Sequence, residues 1–453
     1  VLFRSTTRRV SVLASANYTW NDIYWVDASV RFDGSSEFGA NQKWAPFFSG
    51  GLGVNIHNYD FFKSNGYINK LKLRASYGRT GKVNFPAYAA TTMYETLFDE
   101  WYITGYGAVL KALGNKDLTW EKTDKLSVGI ETKTFHDRLT VDFEYYYNKT
   151  IDLVNDVTLS QTSGFSTYKD NMGQVANKGV ELKLRADIYR DRNWNVALWG
   201  NMAHNKNEIL KISDSQKAYN ERVAAYYKNE ALYQETLGLS HGAEYSVPLP
   251  QYEEGASLTS IWAVRSLGID PTTGKEIFLN RDGSIADKWN AAQEVVVGNT
   301  EPKCSGAFGL NLSYKNWTLF ASFLYEWGGQ EYNQTLVNNV ENADLVNKNV
   351  DLRVLTDRWK KPGDIAQFKD IKDRGMTTLP TSRFVQDKAL VRLNSLNVSY
   401  DFNRDWIKKH LRMNLLRLEA STSDLINWSS IKQERGLSYP RSWKVEFSLK
   451  AQF

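Results

Sequence analysis

Apolar and polar residues alternate one for one over long stretches of this chain. Residues 124–153 read DKLSVGIETKTFHDRLTVDFEYYYNKTIDL. In the first half, Leu126, Val128 and Ile130 share one face, against Ser127, Gly129 and Glu131. In the second, Leu139, Val141, Phe143, Tyr145 and Tyr147 oppose Thr140, Asp142, Glu144, Tyr146 and Asn148. A period of two predicts strands, because successive side chains leave opposite faces of a sheet. His136-Asp137-Arg138 is the turn between them. The same alternation recurs at 10–20, 24–32, 71–77, 180–188, 194–204, 308–314, 317–327, 391–402, 412–422 and 443–453. Residues 47–54 add a Gly-rich strand, where missing side chains permit bends and close approach. Helical turns are expected within 59–69 and around 347–360. The count is thirteen strands, or fifteen if the hairpin around Pro271–Gly274 belongs to the same sheet.

The links between strands sort by length. Links 21–22, 57–69, 135–138, 190–193, 271–274, 315–316 and 403–411 are short, with 57–69 the loosest fit. Those at 33–45, 79–121, 149–176, 207–257, 280–304, 328–387 and 423–441 are long and read as irregular. An antiparallel meander whose links alternate this way has one trimmed end and one elaborated end. A sandwich or propeller has no reason to segregate its links so. The fold class expected is all-β: a transmembrane antiparallel β-barrel wall with short periplasmic turns and long extracellular loops. Lipid then covers the apolar face. The polar face, with Asp27, Arg31, Asp142, Glu144, Glu181, Lys183, Arg185 and Asp187, lines a water-filled lumen.

Composition is compatible with that expectation. Of the 453 residues, 42% are hydrophobic, yet no run approaches a membrane-spanning helix. Mean hydropathy is −0.48, as alternating strands would give. Fifteen Trp and 25 Tyr are a heavy load of the residues used at membrane interfaces. The net charge of +5 is spread along the chain and gives no nucleic-acid footprint. A single cysteine, Cys304, excludes an internal disulfide and reads as an inert thiol. The opening VLFRSTTRRV lacks the apolar core of a signal peptide, so any targeting segment is expected upstream. The terminal Phe453 closes an alternating strand, as barrel assembly signals do.

Enzyme chemistry is not legible. The five histidines, His57, His136, His204, His241 and His410, are scattered outside any zinc-hydrolase spacing. Asp142 and Glu144 share a strand face, but two carboxylates alone are a weak catalytic signal. No catalytic residue, metal site or cofactor is assigned. For substrate contact the candidates are Trp101, Tyr102 and Tyr106 in the 79–121 link. Their rings could stack on sugars or peptide side chains, or simply pack loops together.

Several stretches resemble one family, the SusC/RagA class of TonB-dependent outer-membrane transporters of Bacteroidota. They are ASVRFDGSSEFGANQKWAPFFSGGLGVNI (28–56), INKLKLRASYGRTG (68–81), LTWEKTDKLSVGIE (118–131) and RLTVDFEYYYNKTIDLV (138–154). NMGQVANKGVELKL (171–184), VVVGNTEPKCSGAFGLNLSYKNWTL (295–319), RFVQDKALVRLNSLNVSYDF (383–402) and SYPRSWKVEFSLKAQF (438–453) complete the set. The resemblance implies a 22-stranded barrel, of which this chain is the C-terminal part. It implies an N-terminal plug and TonB box lying outside residues 1–453, energised by TonB–ExbB–ExbD. It also implies a SusD-like surface lipoprotein as lid. The expected function is import of a large nutrient across the outer membrane, an oligosaccharide or glycan first and an oligopeptide second. The alternative is a surface or secreted all-β carbohydrate-binding protein. The chain departs from the family's acidic Asp-Gly loop, which shrinks here to Arg281-Asp282-Gly283.

Overall fold

The computed structural model describes residues 7–453, except 39–42, 64–66, 84, 86–88, 104, 116, 159–166, 215, 219, 222–251, 348, 374–377, 403 and 433–442. Most of the link expected at 207–257, His241 included, therefore lies outside the described residues.

The wall begins with β1 (Arg9–Trp20), β2 (Tyr24–Ser35), β3 (Trp44–Asn55) and β4 (Ile68–Lys82). A separate hairpin, β5 (Met93–Tyr102) and β6 (Gly105–Ala112), follows. The wall resumes with β7 (Glu121–Thr134), β8 (Leu139–Thr158), β9 (Thr167–Arg190) and β10 (Trp194–Lys211). β11 (Ser260–Ile269), β12 (Glu276–Leu279), β13 (Ile285–Ala286) and β14 (Glu294–Asn299) form a small sheet of their own. Then come β15 (Cys304–Tyr314), β16 (Trp317–Tyr332), β17 (Val385–Asp401), β18 (Leu415–Ser423), β19 (Asn427–Ser429) and β20 (Lys444–Gln452).

Thirteen strands pair in the order β1-β2-β3-β4-β7-β8-β9-β10-β15-β16-β17-β18-β20, and short β19 pairs with β17. Every neighbouring pair is antiparallel. The Pro271–Gly274 hairpin joins β11 to β12, outside the wall, so thirteen is the count that stands. Among the described residues the sheet is open, with β1 and β20 at its edges.

Apart from the Pro271–Gly274 turn, which belongs to the small sheet, the links expected to be short gather at one end of the wall. At three of them, non-glycine residues adopt left-handed backbone: Asn21 and Asp22, then Phe135, His136 and Asp137, then Lys315. Asn and Asp tolerate that conformation because their side chains bond locally. The 56–67 link holds a 3₁₀ turn at Ile56–Asn58 and a helical turn at Asp60–Lys63. The last link winds into a helix, Arg404–Leu411, whose Ile407 is buried.

Four expectations need correction. The 79–121 link is not wholly irregular, since it contains β5 and β6. The 149–176 link is mostly strand: β8 runs to Thr158 and β9 starts at Thr167, paired throughout. β10 likewise reaches Lys211. These extensions read NKTIDLVNDVT and TYKDNMGQVA. Polar residues there occupy both faces, and without an apolar face a strand carries no visible alternation. The helical expectation at 347–360 holds only for Arg353–Thr356.

The wall has two unlike faces. One carries Val26, Leu52, Val128, Ile130, Phe143, Tyr145, Leu184, Leu198, Phe308, Leu418 and Phe447, all exposed. The buried apolar clusters lie elsewhere. Phe38, Phe47, Phe85, Leu118 and Trp120 form one, Leu336, Val340, Val354, Phe368 and Phe384 a second, and Val175, Ile209 and Ile212 a third. Almost all of these residues come from the long links or the strand ends that meet them. A water-soluble sheet would invert this, burying the strand face and exposing the loops.

Aromatic rings bound the apolar face at both ends. At the short-link end Trp20 stacks on Tyr24, Trp194 meets Tyr314 at 4.2 Å, and Trp317 meets Tyr400 at 4.8 Å. At the other end stand Trp44, Trp327, Trp428 and Trp443, all more than half exposed. Trp317 and Trp327 lie on one strand and one face, about ten residues apart. At ~3.3 Å per residue and a strand tilt of ~40°, that separation is about 25 Å of height. This matches the apolar band of a bilayer-spanning barrel, ~25 Å.

Candidate functional site: the polar face and the loop assembly above it

The polar face is built from residues that reach across strands. Arg74 on β4, Gly129 on β7 and Glu144 on β8 are register partners in one row. The Arg74 guanidinium passes over Gly129 and donates to Asp142 Oδ1 at 2.9 Å and Glu144 Oε2 at 2.6 Å. A Cβ on residue 129 would stand 2.8 Å from Arg74 Nε. Glycine is therefore what lets β4 bond to β8 across β7. Tyr146 does the same over Gly179, donating to Asn205 Oδ1 on β10 at 2.9 Å. Trp199 covers Gly309 and stacks with Phe320 on β16. The glycines of 47–54 serve close approach too: Trp25 lies on Gly53, with Lys72 Nζ 4.7 Å from its ring.

Charges on this face are largely paired. Lys70 meets Glu131 at 2.6 Å, and Lys388 reaches Glu326 and Glu331; the Arg79–Asp124 pair, at 2.6 Å, lies instead on the apolar side, at the outer ends of β4 and β7. Of the residues singled out from sequence, Arg31 pairs with Asp33 and lies over the Phe47 ring. Asp27 sits on Gly51. Asp142 stands opposite Lys183, and Glu144 opposite Glu181. Arg185 pairs with Asp187 at 3.4 Å. Asp142 and Glu144, tied to one guanidinium, are structural carboxylates. Arg74 escaped the sequence reading. It alternates with Leu73 and Ala75, so its face was legible. Its partners required the register of three strands.

The long links fold into an assembly at the other end of the wall. Arg383 anchors it, donating to Glu276 at 3.0 Å and Glu341 at 2.6 Å, with all three side chains nearly buried. Burial alone would lower the Arg383 pKa, but its bonds to the two carboxylates hold it above its ordinary value. Arg358 clamps the same region, donating to the carbonyls of Lys369, Glu341 and Val340. In the small sheet, burial pushes the Glu294 carboxyl up to about 7, only partly opposed by Arg281. Asp282 of the shortened acidic loop is spent on its own turn, accepting from the Ser284 amide and hydroxyl.

The three aromatic candidates fall on the β5–β6 hairpin. Trp101 pairs with Tyr106, and Tyr102 with Gly105. The Tyr106 side chain is exposed and meets Phe98 edge-on at 5.7 Å. The side chains of Trp101 and Tyr102 lie outside the described residues. Among the described residues the hairpin pairs with no wall strand.

Comparison with known proteins gives one consistent picture. The family model described as "TonB dependent receptor-like, beta-barrel" matches residues 2–415. TonB-dependent receptor P3 of Formosa agariphila is 28% identical over 438 residues, covering 94% of this chain and 42% of that protein. TonB-dependent receptor SusC of Bacteroides thetaiotaomicron is 30% identical over 215 residues, 45% of this chain and 21% of that one. A solved structure of the RagAB peptide transporter superposes with a TM-score of 0.80 at 24% identity, over 99% of this chain and 48% of that one. That likeness is one of fold. The chain spans less than half the length of the curated relatives it matches.

Proposed function

The chain belongs to the TonB-dependent receptor-like β-barrel family, and from that membership we propose that it is the C-terminal wall of an outer-membrane nutrient importer. The observation that carries this reading is the uncovered apolar face between two aromatic belts, together with the tight turns of the wall at one end. Lipid satisfies such a face; water does not. The polar face becomes the lumen, with Arg31, Asp142, Glu144, Glu181, Lys183 and Arg185 on its wall. The edges at β1 and β20 are completed by strands from the rest of a barrel of about 22, which also encloses a plug. The chemistry proposed is transport, not catalysis.

The short links face the periplasm and the loop assembly faces outward. A SusD-like lipoprotein closes over that assembly, and TonB–ExbB–ExbD drives transport through a TonB box outside this chain. The substrate is a large oligosaccharide, with an oligopeptide as the second choice. Exposed Tyr106, with Trp101 and Tyr102 on the same hairpin, offers rings that stack on either. The competing reading, a secreted carbohydrate-binding protein, needs a second sheet over the apolar face. Among the described residues, Val128, Phe143 and Leu198 on that face remain 40–47% exposed.

Uptake by cells carrying the full-length protein tests the proposal. Deleting the TonB box should abolish uptake of labelled oligosaccharide while leaving surface binding intact. Uptake that survives the deletion rules out energised import. Uptake of labelled peptide in place of glycan selects the second substrate class.

A further inference from the structure

The wall carries a notch at the height of the outer aromatic belt. β15 begins only at Cys304, whereas its neighbours continue upward, β10 to Lys211 and β16 to Tyr332. The short segment 300–303 crosses the gap and leaves a cavity of about 560 Å³. His204, Lys206, Glu301, Lys303, Trp327 and Ala389 are among its walls. His204 and Lys206 continue the row of Leu198 and Met202, so they belong to the apolar side of β10. Trp327 and Ala389 are register partners on the same side of β16 and β17.

A second cavity of about 460 Å³ adjoins it and shares Trp327 and Ala389. Phe308, Tyr325, Val391 and Trp428 supply most of its other walls. The polar cavity thus lies at the outer end of an apolar cleft; its walls come from both sides of the sheet, whereas those of the cleft come mostly from the face that the proposed function assigns to lipid.

Glu301 turns toward the polar face, accepting from the Asn205 side chain and from the Asn207 amide at 3.0 Å. Lys388 is held by Glu326 and Glu331. On the apolar side Asp387, two positions from Ala389, is capped by the Gln330 amide, and the other charged groups there, Lys206 and Lys303, are basic. Lys206 has only a long 3.6 Å contact to Glu208. Lys303 makes no ion pair with any described residue, and its stem lies on Gly328, beside Trp327. Gly328 has φ +81°, and a Cβ there would come within 2.9 Å of the Lys303 side chain. His204 uses Nδ1 on the Lys303 carbonyl at 2.7 Å, leaving Nε2 for another partner.

We propose that the two cavities together hold one phosphate-bearing acylated lipid of the outer leaflet. Its phosphate meets Lys206, Lys303 and His204, and an acyl chain lies along Phe308, Tyr325, Val391 and Trp428. Charge complementarity selects the phosphate, and continuity with the lipid-facing wall selects a lipid over a soluble anion. The inference rests on the membrane reading of the wall.

The test uses the full-length protein purified in a neutral detergent. Native mass spectrometry measures retention of phosphatidic acid and of diacylglycerol with the same acyl chains. Phosphatidic acid should bind at least about tenfold more tightly. Lys206→Gln with Lys303→Gln should erase that preference, whereas Lys303→Arg should keep it. Trp428→Ala should weaken both lipids. Equal binding of the two lipids, an unchanged preference in the double variant, or displacement of phosphatidic acid by equimolar inorganic phosphate would overturn the proposal. Heat-modifiable gel mobility, read in parallel, reports whether the barrel itself exists. Its presence with no lipid preference sinks the lipid site alone; its absence sinks the membrane reading.

Discussion

Ile130 and Ser127 lie three residues apart on β7, on opposite faces. Ile130 is 41% exposed on the apolar face. Ser127 is on the polar face, bonded to Ser76 at 2.9 Å. Ile130 stands about five residues above Phe135 at the short-link rim. At ~3.3 Å per residue and ~40° of tilt, this is about 12–13 Å, half the height of a ~25 Å apolar band. An arginine at mid-depth on a lipid-facing wall costs about 2–4 kcal/mol. At 1.4 kcal/mol per decade, Ile130→Arg should shift the folding equilibrium by roughly 30- to 700-fold. Ser127→Arg places the same charge in a hydrated lumen and should cost within about 1 kcal/mol. The assay is denaturant titration of the full-length protein in phospholipid vesicles, read by heat-modifiable mobility. Equal costs at the two sites, or a smaller cost at Ile130, would refute the assignment of faces.

The glycine rows predict a graded pair. Gly129→Ala should be the milder, because its Cβ meets the far end of the Arg74 side chain, which can give way at the expense of its bonds to Asp142 and Glu144; Gly179→Ala should cost about 1–3 kcal/mol, because its Cβ would stand 2.1 Å from the His204 carbonyl oxygen. The same titration ranks them, and equal costs would contradict the bridging role. Arg74→Met should destabilise by about 1–2 kcal/mol, moderated by partial solvation, since it leaves Asp142 and Glu144 together without their cation. Adding Asp142→Asn and Glu144→Gln should restore most of the loss, and a triple variant as weak as the single one would contradict the pairing. The Glu294 carboxyl is raised to about 7, so its contribution favours the folded loop sheet below its unfolded pKa near 4.5 and is lost as pH rises through about 7. Glu294→Gln should therefore leave hydrogen exchange in β11 and β14 unchanged at pH 4.5 and slow it at pH 8, by an amount corresponding to about 3 kcal/mol. Equal protection in both proteins at pH 8 would contradict the burial argument.

The wall was legible because a bilayer-facing strand has to alternate. From Leu126 to Tyr147 each residue declares its face, and thirteen such strands form one sheet. Legibility ended where that constraint ends. Above the outer belt, β8 to Thr158 and β9 from Thr167 no longer face lipid and mix polar with apolar residues on both sides, so they read as loop. The β5–β6 hairpin hid among scattered aromatics for the same reason. The polar face was legible one residue at a time, as with Asp142 and Lys183. Its bridges were not, because Arg74 reaches a carboxylate 70 residues away through a register that depends on every turn between. The loop anchor of Arg383, Glu276 and Glu341 has no local signature, since Glu276 comes from the small sheet while Glu341 and Arg383 stand 42 residues apart in the link from β16 to β17.

The central claim is that this wall has lipid on one side and water on the other. A single-cysteine scan from Trp317 to Trp327 in the full-length protein, with Cys304 replaced by Ser, tests it most directly. Spin labels at each position report collision with oxygen from the lipid phase and with a water-soluble nickel chelate. The account predicts alternation with a period of two: Leu319, Ala321, Phe323 and Tyr325 reached from lipid, Thr318, Phe320, Ser322 and Leu324 from water, and both reagents balanced at the two tryptophans. Water access at every position, or no alternation between the tryptophans, would contradict it.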